Sequence, residues 1–221
     1  MRSASSGATG GVEPVPDSQR MPRLTLRLPG TWIQLDPHRP DVTAGRIRSF
    51  VDLVIGRADQ LAYARREMRT ALEMVMDQAP TTSALESTFV CHQLAPGTAT
   101  PVAVSIFSPA QFHMSPAIGN QPATVIEAFL ATLDVLGDGS DWLRIGCVDG
   151  EAVRRWCVTE SVVADGTEDL AVRTFVAHYW RTVPSSKRVA LVTVTSPLAD
   201  IPRTLLRLAD AIVGGSRFVA A

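Results

Sequence analysis

Apolar and polar side chains alternate along the last third of the chain in a pattern that predicts consecutive β-strands. Asp149-Gly150 lies between two of these runs and is the dipeptide most typical of a two-residue hairpin. The pattern therefore predicts a β-meander, in which each strand pairs with the next one along the chain. Its strands are expected at residues 142–148, 152–159, 170–180 and 189–195.

Aromatic side chains within residues 170–180 divide between the two faces of the predicted strand. Phe175 and Tyr179 share one face, whereas His178 and Trp180 lie on the other with Val176, because successive side chains point to opposite faces. Aromatic rows on a sheet can stack nucleobases. The segment carries no RRM-type signature, so the pattern favours packing against covering helices.

Apolar residues spaced three and four apart predict three helical regions. The first spans residues 41–78, with Asp41 as its N-cap. It is expected either to kink near Gly56-Arg57 or to divide there into two helices, the second of which Asp59 could cap. Arg65 interrupts the apolar stripe of this region. The other two regions are residues 122–136, with Pro122 in the first turn, and a closing helix capped by Asp200 and ended by Gly214-Gly215.

Four further strands are expected outside the meander, at residues 24–28, 32–35, 85–94 and 102–107. Strands and helices do not alternate strictly, which argues against a doubly wound parallel sheet. The order of elements predicts the α+β class, with an antiparallel β-sheet covered by helices.

The first twenty-one residues differ in composition from the rest of the chain. They are rich in Ser, Gly and Pro and contain no apolar segment typical of a signal peptide. We therefore expect a disordered N-terminal tail at 1–21 and a single α+β domain at 22–221.

Charge and hydropathy bear on the partners and the location of the protein. The net charge of -1 gives no global attraction to nucleic acid. No run approaches the about 18 apolar residues of a membrane-spanning helix, so we expect no membrane insertion and a cytoplasmic location.

Three cysteines are present, and their sparse, odd number does not indicate a disulfide framework. Cys147 and Cys157 flank the predicted hairpin and could lie near each other. Buried, reduced thiols are the favoured interpretation, because free cysteine packs as a small apolar side chain.

Motifs for catalysis, for metal ligation and for cofactor binding are absent from the sequence, so no catalytic, metal-ligating or cofactor-binding residue is predicted. A site assembled only by folding remains an alternative. It would be a hydrolase that uses Cys91 or a serine as nucleophile, with His92, His113 or His178 as the base.

A long loop at residues 108–121 carries the candidate partner-binding residues, Phe112, His113 and Met114. Loops of this length in compact domains are often functional. Apolar side chains within a loop either tuck beneath it or contact a partner, and the sequence leaves both alternatives open.

Three short stretches resemble the PsbP-like (Mog-type) α/β sandwich. They are the opening phrase Leu28-Pro29-Gly30-Thr31-Trp32, the strand 189–195 that runs into Ser196-Pro197, and the closing helix before Ser216-Arg217-Phe218. The chain is also similar to actinobacterial proteins associated with type VII secretion gene clusters, which share the opening phrase and an Arg-rich helical segment. The resemblance implies a non-enzymatic accessory, assembly or binding role.

Three functional hypotheses follow from these observations. The first is a non-catalytic accessory or protein-interaction protein that supports secretion or complex assembly, with a protein partner or a second copy of the chain. The second is the thiol or serine hydrolase. The third is a small-molecule binding module with an apolar pocket between a helix and the sheet.

Overall fold

A computed structural model describes residues 22–78, 84–109, 114–115, 117–135, 141–165 and 168–220 of the chain. The predicted tail, residues 1–21, lies outside this part. The described helices are α1 (Pro40–Ile55), α2 (Ala62–Gln78), α3 (Pro122–Val135) and α4 (Pro202–Gly214). The described strands are β1 (Arg23–Thr25), β2 (Thr31–Leu35), β3 (Leu85–Ala95), β4 (Thr98–Ala99), β5 (Ala103–Phe107), β6 (Leu143–Cys147), β7 (Gly150–Asp165), β8 (Glu168–Thr182), β9 (Val189–Ser196) and β10 (Arg217–Val219).

Eight of the described strands form one sheet, in the order β2-β3-β5-β9-β8-β7-β6 with β4 beside β3, and every pairing is antiparallel. The prediction of an α+β fold with a helix-covered antiparallel sheet is confirmed. The meander is confirmed as β6 to β9, and Gly150 at its first turn has φ 152°, a conformation that favours glycine.

One face of the sheet, here called face one, is covered by α4 and by a small second sheet. Leu205, Ala209 and Ile212 of α4 pack against alternate residues of the central strands, among them Phe175 and Tyr179. Strand β1 pairs only with β10 in the described chain, and its Leu24 joins the same core. The predicted strand at residues 24–28 is thus real but shorter, and it lies outside the main sheet.

The opposite face, face two, is covered at its two ends and less at its middle. Helices α1 and α2 pack over β2 and β3 through residues spaced four apart, such as Ile47 with Val51 and Met68 with Leu72. Helix α3 packs over β7 and β8 through Val125, Ile126, Phe129 and Leu133. A strip of the sheet between these two helical covers carries half-buried side chains.

The junction between α1 and α2 explains the break in the apolar stripe. Gly56 ends α1 with φ 87°, and a short 3-10 turn at Asp59–Leu61 precedes α2. Arg65 donates hydrogen bonds of 2.8 Å from Nη1 to the carbonyl oxygens of Gly56 and Ala58. Carbonyl groups at the end of a helix have no hydrogen-bond donor within the helix. The Arg65 guanidinium supplies donors to the carbonyl groups at this junction.

Two expected helix starts are wrong by one or two residues. Helix α1 begins at Pro40 and α4 at Pro202, each with proline in the first turn, and neither N-cap residue makes a side-chain capping bond. Asp41 lies inside the first turn of α1, and Asp200 instead pairs with Arg173 at 2.9 Å. None of the helices in the described ranges is both long and apolar enough to cross a membrane.

A buried cation fixes the C-terminal segment to face one. The Arg181 side chain is 0% exposed, and it donates hydrogen bonds to Asp149 and to the hydroxyl of Ser216. The same guanidinium lies 5.1 Å from the ring centroid of Phe218, whose backbone N–H also donates to Asp149. We call this group, Arg181 with Asp149, Ser216 and Phe218, the C-terminal latch.

A second polar group joins α4 to the sheet beside the latch. The Tyr179 hydroxyl donates to Asp210 at 2.8 Å, and Arg154 pairs with the same carboxylate. Burial of the phenol, together with this acidic partner, raises the pKa of Tyr179. Tyr179 therefore stays a neutral hydrogen-bond donor throughout the physiological pH range.

Candidate functional site

Face two carries a cleft beside the C-terminal end of α3. It has a volume of about 300 Å3 and is lined by Leu133, Trp142, Arg155, Cys157, His178, Trp180 and Leu191. These residues come from α3, from the segment before β6 and from strands β7, β8 and β9. We call this feature the tryptophan cleft.

Strand register brings the polar residues of the cleft together. His178 of β8 lies directly opposite Arg155 of β7 and Thr193 of β9, and residues opposite each other point to the same face. A polar row consequently crosses five strands of face two. It consists of Thr88, Ser105, Thr193, His178 and Arg155.

Each main side chain of the tryptophan cleft is held by a neighbour. Trp180 packs on Phe129 of α3, with ring centroids 4.8 Å apart. His178 Nδ1 lies 3.1 Å from the Thr193 hydroxyl, and the Arg155 guanidinium lies 6.0 Å from the Trp142 ring centroid. Strands β7 to β9 and helix α3 thus position most of the cleft, and Trp142 reaches it from the segment before β6.

The described lining of the tryptophan cleft combines polar and aromatic side chains. Arg155 and His178 supply the polar groups. Two indole rings and two leucines supply the apolar surface. The cleft therefore places hydrogen-bonding groups beside flat aromatic surface.

Two larger grooves near the start of α1 lack this combination. One, of about 440 Å3, mixes Arg23, Arg39 and Arg46 with Asp36 and Glu86, so its charges largely offset each other. The other, of about 430 Å3, is lined by the carboxylates Asp36, Asp41, Glu73 and Asp77 around the side chains of Ile47 and Met76. An acidic cluster of this kind is most often a solvated surface.

Strands β7 and β8 extend beyond the rest of the sheet as a two-stranded ribbon. Strand β6 pairs with β7 only as far as Arg154, and β9 pairs with β8 only from Phe175 onward. Residues 159–165 and 168–174 consequently pair only with each other among the described strands. We call this part the β7–β8 ribbon; Val162 within it is 66% exposed.

The three cysteines occupy different environments and are all free. Cys91 is 3% exposed in the core of face one, and Cys147 also packs against that core. Cys157 lines the tryptophan cleft on face two. Cys147 and Cys157 therefore lie on opposite sides of the sheet and cannot form a disulfide in this fold.

Burial raises the pKa of Cys91 to about 11, because the apolar core disfavours the charged thiolate. At pH 8 about one Cys91 thiol in a thousand is ionised, and the thiolate is the reactive form. We expect Cys91 to resist iodoacetamide at pH 8 in the folded protein and to react within minutes in urea. Mass spectrometry of alkylated peptides measures this; rapid native labelling of Cys91 would contradict the assignment.

The histidines proposed as bases for Cys91 do not approach it in the described structure. His178 lies on face two, and Cys91 lies on face one. His92 follows Cys91 on β3 and points to the other side, where its ring contacts Phe50 of α1 with centroids 6.4 Å apart. His113 lies outside the described residues. The arrangement of Cys91 with His92 or His178 therefore offers no nucleophile–base pair.

The loop predicted to bind a partner is only partly described. Met114 is half-buried and packs against the core beneath α3, which favours the tucked alternative for this side chain. Phe112 and His113 lie outside the described residues, so their role as partner-binding residues stays a prediction.

The tryptophan cleft was not singled out from the sequence, although one signal for it was present. The alternation along β8 placed His178 and Trp180 on one face, which the structure confirms. Trp142 and Arg155 join them only through the register of β6 to β8 and the position of α3. The spacing of residues in the sequence gives neither the strand register nor the position of α3.

Within the described ranges, no three His, Cys, Asp or Glu side chains group in a way that could hold a metal ion. Comparison of the sequence with protein-family models and with curated proteins finds no match in either set. The function of the chain must then be inferred from its own residues.

Proposed function

We propose that this chain is a non-catalytic protein-interaction protein that binds an extended segment of another protein along the β7–β8 ribbon. The observation that supports the proposal is the open edge of β7 beyond Arg154, where β6 no longer pairs with it. An unpaired strand edge presents backbone N–H and C=O groups that can accept an added strand.

The composition of β7 favours strand addition. Residues 156–164, with the sequence WCVTESVVA, contain one charged residue, Glu160, and neither lysine nor proline. Natural proteins usually protect open strand edges with charged side chains, with proline or with very short strands, so this edge is weakly protected. A two-stranded ribbon is also marginally stable in water on its own, so a partner that adds a third strand would stabilise it.

The chemistry of the edge defines the kind of partner. Thr159 and Ser161 alternate with Glu160 and Val162 along the exposed part of β7. The matching strand is an extended, β-branched segment without a run of acidic residues, since acids placed opposite Glu160 would repel it. Backbone hydrogen bonds would supply the affinity, and the alternate side chains would supply the specificity.

An accessory role in secretion or in complex assembly extends this proposal. It is supported by the resemblance of the phrase Leu28-Pro29-Gly30-Thr31-Trp32 to PsbP-like proteins and to actinobacterial proteins of type VII secretion gene clusters. An accessory protein of this kind needs a binding surface rather than a catalytic centre.

Trimming the ribbon tests the proposal without removing the core. Replacing residues 161–172 by Asn-Gly joins Glu160 to Arg173, which lie directly opposite each other, through a favoured two-residue turn. We expect the trimmed protein to unfold within about 4 °C of the wild type, because the described residues among those removed pair only with each other. In affinity capture from native lysate it should lose the stoichiometric partner that the full chain retains.

A matched control separates loss of the edge from loss of any exposed residue. Val135→Lys changes an exposed apolar side chain at the end of α3, far from the ribbon in sequence, and should leave capture unchanged. Retention of the same partner by the trimmed protein would contradict the proposal. So would concentration-dependent self-association that trimming abolishes, since the occupant of the edge would then be a second copy of the chain.

A further inference from the structure

We propose that an apolar notch at one end of face two holds an aromatic side chain from a protein segment that pairs with the open edge of β8. The notch has a volume of about 230 Å3. The proposal goes beyond strand addition at β7, because the notch lies beside the other edge of the β7–β8 ribbon. We call it the proline notch; its lining includes Val90, Pro101, Ala103, Thr174, Thr195 and Pro197.

The end of β9 leaves one edge of β8 without a partner strand. The ladder between β8 and β9 begins at Phe175, opposite Ser196, and no described strand pairs with residues 168–174 on this side. Pro197 follows directly and has no backbone N–H to continue the ladder. An extended segment added to this edge would therefore continue the line of β9. Its end would lie at the proline notch, because Thr174 and Pro197 both line it.

The backbone of β8 presents hydrogen-bonding groups along this edge. The Thr159 hydroxyl of β7 donates to the Thr174 carbonyl oxygen at 3.4 Å, so that carbonyl points toward β7. Successive residues of a strand direct their backbone groups to opposite sides, so Arg173 and Ala171 direct theirs to the open edge. Such an edge can accept an added strand.

Hydrogen bonds hold the walls of the proline notch in place. The Ser196 hydroxyl donates to the Pro101 carbonyl oxygen at 2.8 Å and accepts the Leu198 N–H at 3.2 Å. These contacts join the segment that enters β5 to the segment that leaves β9, and the side chain that makes them is 2% exposed. A site whose walls are already ordered loses little conformational freedom when it is filled.

The chemistry of the lining defines the occupant. Proline rings and the side chains of Val90 and Ala103 supply apolar surface, and none of the described lining residues is charged. Beside the edge, Arg173 pairs with Asp200 at 2.9 Å, so these two charges offset each other. A neutral apolar side chain consequently fits the notch better than a charged one, which would lose its hydration there.

The size of the proline notch selects one large side chain rather than a separate small molecule. Its volume of about 230 Å3 lies below the range of about 300–1,000 Å3 that is typical of small-molecule pockets. Aromatic side chains bury about 150–250 Å2 each and dominate the energetics of interfaces. Proline rings pack against aromatic rings when proline-rich segments are recognised, and here the prolines belong to the binding site.

Fluorescence anisotropy on the full chain tests the aromatic anchor. The probe is a labelled peptide of alternating threonine and valine with one central phenylalanine, compared with the same peptide carrying alanine at that position. We expect the phenylalanine peptide to bind about tenfold or more tightly, because only its ring fills the notch. N-acetylphenylalaninamide carries the ring without a strand. It should bind at least about tenfold more weakly than the phenylalanine peptide, because it cannot pair along β8.

Three results would overturn the proposal. Equal binding of the two peptides is the first, and a peptide held only along β7 would give that result. The second is no binding of the phenylalanine peptide at about 1 mM. The third is an N-acetylphenylalaninamide that binds as tightly as the peptide, since the edge of β8 would then contribute nothing.

Variants locate the ring in the notch. Thr174→Trp fills the notch from β8 and should abolish the preference for phenylalanine over alanine. Thr31→Trp makes the same change at an exposed position of β2, the strand at the far edge of the sheet, and should keep the preference. A preference that survives Thr174→Trp would contradict the assignment.

Methyl NMR on the unmodified chain locates the ring without any variant. Val90 and Ala103 line the notch, whereas Val135 is 87% exposed at the end of α3. The saturating phenylalanine peptide should shift the methyl signals of Val90 and Ala103 through its ring current and leave those of Val135 unchanged. Unchanged Val90 and Ala103 signals under saturation would place the ring elsewhere and overturn the proposal.

Discussion

Replacing Arg181 by Met is expected to lower the free energy of unfolding by about 3 kcal/mol, because it leaves the Asp149 carboxylate without its buried partner. Breaking a fully buried pair costs about 3–5 kcal/mol, and the lower end applies because the Asp149 side chain remains 24% exposed. The substitution also removes the donor to Ser216 and the cation that lies over Phe218. Urea denaturation, followed by circular dichroism, measures the loss.

Arg173→Met is the matched control for the Arg181 variant. Arg173 pairs with Asp200 at 2.9 Å, but the two side chains are 55% and 90% exposed. Exposed pairs contribute about 0–1 kcal/mol, so this variant should unfold close to the wild type. Equal effects of the two substitutions would show that the C-terminal latch is no more than a surface pair.

Replacing Phe129 by Ala is expected to lower the free energy of unfolding by about 3–5 kcal/mol. The side chain is 0% exposed and fills the space between α3 and Trp180, so truncation leaves a cavity as well as lost apolar contact. Alanine has the higher helix propensity, so the loss cannot be attributed to the helix itself. Guanidinium denaturation measures it, and near-ultraviolet circular dichroism reports the loosened Trp180.

Val135→Ala separates core packing from helix propensity on the same helix. Val135 is 87% exposed, so replacing it by alanine removes almost no buried surface. Like Phe129→Ala, this substitution raises the helix propensity of the residue. Its effect should stay within about 0.5 kcal/mol. A loss below about 1 kcal/mol for Phe129→Ala would show that α3 is not anchored by this ring.

Local patterns predicted most of the fold because they depend on neighbours in sequence. The Asp149-Gly150 dipeptide located the hairpin between β6 and β7, although the two turn residues are Val148 and Asp149 because Cys147 pairs with Gly150. The period-two alternation of β8 placed Phe175 and Tyr179 on one face, and the structure shows that α4 covers that face. Helix starts were predicted less well, since Asp41 and Asp200 were preferred as caps. The nearby prolines, Pro40 one residue before Asp41 and Pro202 two residues after Asp200, are the stronger signals, as proline in the first turn had already indicated for Pro122.

The C-terminal latch and the tryptophan cleft depend on contacts that are distant in sequence. Extending the alternation one residue past the predicted strand end at 180 would have placed Arg181 on the face of Tyr179, and a charge there requires a buried partner. That signal was available, but its partners Asp149 and Ser216 could not be identified from spacing. Trp142 and Trp180 line the same cleft because of the order of strands in the sheet and the position of α3. A single sequence specifies neither.

Amide hydrogen exchange on the complex is the sharpest test of strand addition at β7. The chain captured with its partner would be compared with the free chain, peptide by peptide. Strand addition predicts slower exchange at alternate amides of residues 156–165, because a partner strand would accept hydrogen bonds from the open edge. Unchanged exchange across residues 156–165, with protection confined to another surface, would contradict it.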